Sequence, residues 1–129
     1  MNEEKPIAPK KDETKITFDD FAKVEIKAGK ILSAEKVPET DKLLKLSVDF
    51  GEAAPRQIIS GISIFFPDPT TLIGRTAMFV TNLEPRTIKG LESNGMLFAI
   101  STPPTVVGSA GAFSLLEPGP GIPPGTRAK

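Results

Sequence analysis

Leu44-Lys45-Leu46-Ser47-Val48-Asp49-Phe50 alternates apolar and polar side chains without a break. A strand turns successive side chains to opposite faces, so Leu44, Leu46, Val48 and Phe50 share a buried face and Lys45, Ser47 and Asp49 a solvated one. Upstream, Val24, Ile26 and Ala28 alternate with Glu25, Lys27 and Gly29 as a half-buried strand, and Pro38-Glu39-Thr40-Asp41 supplies the turn between the two. The phase of that first strand becomes ambiguous at Ile31-Leu32, and Gly29 is the expected bulge. Downstream, Gly51 to Pro55 turns the chain into a third strand, Arg56 to Ser60. Asp68 as N-cap and Pro69 at the first helical position then start a short helix that Gly74 ends. Arg75 to Leu83 is apolar on both faces and reads as a central strand. A polar stretch from Glu84 to Gly95 leads to a fifth strand, Met96 to Ile100. Ahead of all these, Thr17 caps a short helix with Asp19 and Asp20 in its first turn and Phe18 and Phe21 spaced for packing.

Three strands, a short helix and two strands make an all-β pattern. The pattern fits a five-stranded Greek-key barrel with a helix between strands three and four, the oligonucleotide-binding (OB) arrangement, among several small β-barrels. Residues 1–15 alternate Lys with Glu and Asp around Pro6 and Pro9 and are expected to form a disordered tail or linker. Residues 16–129 form one domain. Its last part, from about residue 101, reads as a loop, a short strand at Ala112 to Leu116 and an extended tail, that is, a C-terminal β extension.

Composition narrows the chemistry. The 129 residues include no cysteine and no histidine, which removes thiolate nucleophiles, the usual general base near neutral pH and the commonest transition-metal ligands. No catalytic residue, metal site or cofactor is therefore expected. No apolar run reaches the length of a membrane span, and the polar N-terminus has no signal-peptide core, which points to the cytoplasm. Lys and Arg balance Asp and Glu at 16 each, so any affinity for nucleic acid has to come from a local patch.

Four ordered stretches resemble one family. Asn82-Leu83-Glu84-Pro85-Arg86, followed by Gly90-Leu91-Glu92-Ser93-Asn94-Gly95-Met96, is similar to the Asn-Leu-x-Pro-Arg…Gly-x-x-Ser-x-Gly-Met signature of the tRNA-binding domain family. That family includes the C-terminal domain or β-subunit of methionyl-tRNA synthetases, free-standing tRNA-binding dimers and the domain of endothelial-monocyte-activating polypeptide. Phe21 to Ile31, Asp41 to Leu46 and Arg56 to Ile62 resemble its first three strands in order, and the likeness runs roughly from Ile16 to Lys129. Two departures stand out. Lys27-Ala28 replaces the usual Arg-Val, which keeps the charge and loses the bidentate fork. Pro103 to Gly111 is longer than the family's short turn and reads as an insertion with an exposed Val106-Val107.

The resemblance implies a non-catalytic tRNA-binding module that serves a synthetase catalytic chain or stands free as a homodimer built through the C-terminal segment. Physical reading supplies the contacts. Lys27, Lys30 and Lys45 on a sheet face, Lys42 just before the second strand, and Arg86 and Lys89 on the loop between strands four and five would meet phosphates. Asn82 and Ser93 would meet ribose hydroxyls or base edges, and Met96 an unstacked base. The alternative is an OB-fold protein-interaction or assembly module whose RNA binding is weak or lost.

Overall fold

β1 (Ile26–Lys36) is the long strand around which the others are arranged. The computed structural model describes residues 14–108 and 111–129, so nearly all of the expected tail over residues 1–15 lies outside the described residues. After a five-residue helix, α1 (Phe18–Ala22), and β1 come β2 (Leu44–Asp49), β3 (Arg56–Ser60), β4 (Thr76–Val80), a hairpin of β5 (Arg86–Ile88) and β6 (Leu91–Ser93), then β7 (Met96–Leu97), β8 (Ala99–Ser101) and β9 (Phe113–Leu115). β1, β2, β3, β4 and β7 form one antiparallel sheet in the order β3-β2-β1-β4-β7, which is the expected OB barrel. The alternation along β2 holds: Leu44, Leu46, Val48 and Phe50 all lie in the core with Ile31, Ile58, Leu72 and Phe79. Each such side chain contributes about 1.5–3 kcal/mol on burial.

The bulge in β1 is displaced from its expected place. Lys30 and Ile31 face Asp49 and Val48, while Ser33 and Ala34 face Ser47 and Leu46, so Leu32 is the extra residue. The ambiguous phase at Ile31-Leu32 was the bulge itself. Gly29 is there for space: a Cβ would lie 2.5 Å from the Phe50 ring and 2.6 Å from Val48. Phe50 in turn sets its ring edge-on to Phe79, with centroids 5.3 Å apart. The side-chain phase that enters the barrel is therefore Lys27, Gly29 and Ile31, not Val24, Ile26 and Ala28 alone; Ala28 on the other phase is buried as well.

Other elements need smaller corrections. Asp68 caps as expected, its Oδ1 accepting from the Thr70 amide at 3.1 Å, but Pro69–Leu72 is a single 3-10 turn, preceded by another at Ser63–Phe65. Thr17 caps α1, yet Phe18 and Phe21 remain exposed rather than packed. The fifth strand breaks at Phe98: β7 continues the barrel and β8 leaves to pair with β9. Leu115 of β9 is buried and Phe113 stacks on Phe65 at 4.6 Å, so this apolar run is covered by its own chain. The tail returns to β1, whose first half has a free edge because β2 pairs only from Lys30 onward. The Gly125 amide donates to Ala28 O at 2.7 Å, and Ala28 and Ala128 amides donate to Thr126 O and Ile26 O at 2.8 Å.

Candidate nucleic-acid interface

The barrel leaves the open edge of β3 to be closed by the segment between β4 and β7. The Ser93 hydroxyl accepts from the Ile59 amide at 2.9 Å and donates to Gly95 O at 3.1 Å. The Asn94 amide donates to Gln57 O, and Gln57 Nε2 to Glu92 O, each at 2.9 Å. From this seam the β5–β6 hairpin projects. Its turn is Lys89-Gly90, closed by the Ile88–Leu91 pair, with φ of 52° and 80°. Two positive φ values are what a two-residue type I′ turn requires, normally met by Asn-Gly. Lysine here costs of order 1 kcal/mol in backbone strain and places a cation at the tip. Arg86 is exposed at the foot of the same ladder, opposite Ser93.

A second group of charges fills the barrel mouth beside Phe50. The Lys27 ammonium lies 3.6 Å from the Glu25 carboxylate, and its side chain is only 25% exposed. Glu25 accepts from the Thr81 hydroxyl at 2.6 Å, and that bond, helped by Lys27, holds its pKa below the usual carboxylate value. Arg56 makes a two-pronged pair with Glu52, at 2.6 and 2.9 Å, which lowers the Glu52 pKa and raises that of Arg56. The guanidinium lies 5.3 Å from the Phe50 ring centre.

The nine residues singled out in the sequence thus separate. Arg86 and Lys89 share the hairpin. Lys30 and Lys45 lie on the outer sheet face, but opposite Asp49 and Glu35 respectively, so the expected basic face alternates in sign. Beside Lys45, a shallow groove of about 400 Å³ is lined by Ser33, Glu35, Ser47 and Gln57. Lys42 is exposed in the turn before β2, at the end far from the mouth. Met96 is 42% exposed on β7. Three do not present their groups to a ligand. Lys27 faces the mouth and pairs with Glu25. Ser93 is 4% exposed with its hydroxyl engaged on both sides. Asn82 Oδ1 accepts from the Glu25 amide at 2.8 Å while Nδ2 donates to Lys23 O at 2.5 Å, which ties the start of β1 to the end of β4. Arg56 and Gln57, which hold the hairpin, were not singled out. The signal existed for Arg56, since it shares the inward phase of Ile58.

Comparison with known proteins fits this geometry. The family model described as "Putative tRNA binding domain" matches residues 26–127. The chain belongs to the tRNA-binding domain family. A methionine–tRNA ligase of Myxococcus xanthus is 51% identical over 115 residues, covering 88% of this tRNA-binding domain and 15% of the ligase. The domain thus spans about a sixth of the length of the curated relatives it matches. Among solved structures, a MetRS-related protein from Pyrococcus horikoshii superposes with a TM-score of 0.77 at 37% identity, over 88% of this chain and 97% of that one. The chaperone CsaA of Bacillus anthracis gives 0.71 at 28%, over 89% and 99%. Among the described residues no helix is long and apolar enough to cross a membrane, and no group of three or more carboxylates could hold a metal ion.

Proposed function

We propose that this tRNA-binding domain is a non-catalytic accessory module that grips tRNA by backbone and shape, with the β5–β6 hairpin as its principal contact. The observation that carries the reading is a strained lysine at the hairpin tip with Arg86 on the same ladder. Neither cation is engaged by an ion pair among the described residues. Lys42, Lys45, Lys30 and Met96 would extend the contact over the neighbouring face. Few cations on a neutral protein give modest affinity with little choice among tRNAs. The likeness to methionine–tRNA ligases supports a role beside a methionyl-tRNA synthetase catalytic chain in the cytoplasm, where the module raises the local tRNA concentration.

The homodimer belongs to this proposal. With Phe113 and Leu115 packed in cis, the large apolar side chains left for a twin chain at the C-terminal segment are Ile122 and the loop residues Val106 and Val107, with Ile100 just before it. Two half-sites on one tRNA would raise affinity without a new contact. Sedimentation should give twice the monomer mass. A protein-interaction module is the second reading, favoured by exposed Ile16, Phe18, Phe21 and Val24 and by the likeness to a chaperone.

Gel shifts with several purified tRNAs separate the readings. The parent should bind all of them, more weakly as salt rises, and Lys42→Glu combined with Arg86→Glu should weaken all alike. Equal binding by parent and variant at low salt would defeat the assignment.

A further inference from the structure

We infer that Arg56 is a positioning residue for tRNA binding: one guanidinium clamps both ends of the hairpin and so sets where Arg86 and Lys89 point. The inference rests on the tRNA reading above. Arg56 Nη1 donates to Thr81 O at 2.7 Å and to Asn94 O at 3.3 Å. Those two carbonyls stand on either side of the segment 82–93, so a single nitrogen closes its neck. The opposite edge of the same fork is fixed on Glu52, and its face lies near the Phe50 ring, so the clamp is held in place from the barrel mouth. Lysine has neither the planar fork nor enough fixed donors to do both jobs. Leverage makes the neck matter. The three-rung ladder that runs from the seam at Ser93 to the tip, at about 3.3 Å per residue, puts the tip about 10 Å away, so a tilt of about 10° at the neck would move it by about 2 Å. The ion network at the mouth, which touches no ligand in this account, thereby acts on binding through the hairpin.

The test is a double-mutant cycle in the full chain, read by fluorescence anisotropy with a purified tRNA at low salt. Arg56→Met should weaken binding about 10-fold in the parent, the scale of losing hydrogen bonds from a charged group. In an Arg86→Ala/Lys89→Ala background it should cost less than about 2-fold, since no cations remain to be placed. Amide exchange should quicken in β5 and β6 and stay unchanged in β1 and β2. Arg56→Lys should not rescue. Equal losses in both backgrounds, no loss in the parent, or rescue by lysine would each overturn the proposal. If Arg56→Met does not fold, Glu52→Gln carries the test, since it frees the fork and keeps the carbonyl bonds: about a 3-fold loss in the parent alone supports the clamp, and parental binding overturns it. Parental affinity in the Arg86→Ala/Lys89→Ala chain would defeat the tRNA reading instead, and the exchange data would still decide whether Arg56 orders the hairpin.

Discussion

The barrel mouth and the hairpin tip both carry cations, and they use them in opposite ways. At the mouth, Lys27 and Arg56 are partly buried and paired with Glu25 and Glu52; Arg56 also donates to Thr81 O, and Glu25 accepts from the Thr81 hydroxyl. At the tip, Lys89 occupies a left-handed turn position that suits asparagine better. A paired, half-buried charge shapes a fold, whereas an unpaired charge placed at a cost in strain is available to a partner. Residue type alone did not separate them; strand phase did.

The sharpest way to break the contrast at the mouth is Gly29→Val. The new side chain would meet the Phe50 ring and Val48, so stability should fall by about 3 kcal/mol in urea unfolding, the upper range for overpacking a core. A change below about 1 kcal/mol would mean that Phe50 can leave the mouth freely. Lys27→Met should be milder, about 0.5–1 kcal/mol, because the pair it removes is only partly buried. Its tRNA affinity should stay within about 2-fold of the parent, since no phosphate contact is lost.

Acid should then loosen the mouth before the tip. At the mouth, Glu25 and Glu52 have folded pKa values below the ordinary one, set chiefly by the Thr81 hydroxyl and Arg56; Glu117, paired with Arg75 away from the mouth, is lowered too. Their contribution is complete above the unfolded value of about 4.3 and is lost as pH falls through the lowered folded values. The melting temperature should therefore hold from pH 7 to about 5 and drop below about 4.3, less steeply in Glu52→Gln. An unaltered acid profile in that variant would remove Glu52 from the account. The smallest effect is expected at the tip itself: Lys89→Asn should raise stability by a few tenths to about 1 kcal/mol while weakening tRNA binding. A gain in both would show that Lys89 is a turn residue and nothing more.

Much of the fold was legible because one face of β2 is uniformly apolar, and a period of two with one buried face admits one register. The cap at Asp68 was legible for a local reason, since Asp before Pro satisfies the first turn whatever surrounds it. The bulge was misplaced because Gly29 offers two explanations, a bulge or a close approach, and only the position of Phe50 decides between them. The site was less legible. Arg86 and Lys89 lie exposed on the hairpin, as a polar stretch between strands suggests, but Lys27 was assigned to the outside because the ambiguous phase of β1 hides which face enters the barrel. Ser93 read as a ligand group. Its role in closing β3 depends on Ile59, 34 residues away in sequence. The exposed Val106 and Val107 follow from a loop without anchors, as expected, while Ser109 and Ala110 lie outside the described residues.

The salt dependence of tRNA binding tells a contact at the hairpin from one at the barrel mouth. Log affinity should be measured against log salt for the parent, for Arg86→Ala/Lys89→Ala and for Lys27→Ala. Each phosphate contact contributes about 0.7–0.9 to the slope, so the hairpin variant should lose roughly 1.4–1.8 while Lys27→Ala keeps the parental slope. A parental slope in the hairpin variant, with a reduced slope in Lys27→Ala, would place the contact at the barrel mouth and contradict the account.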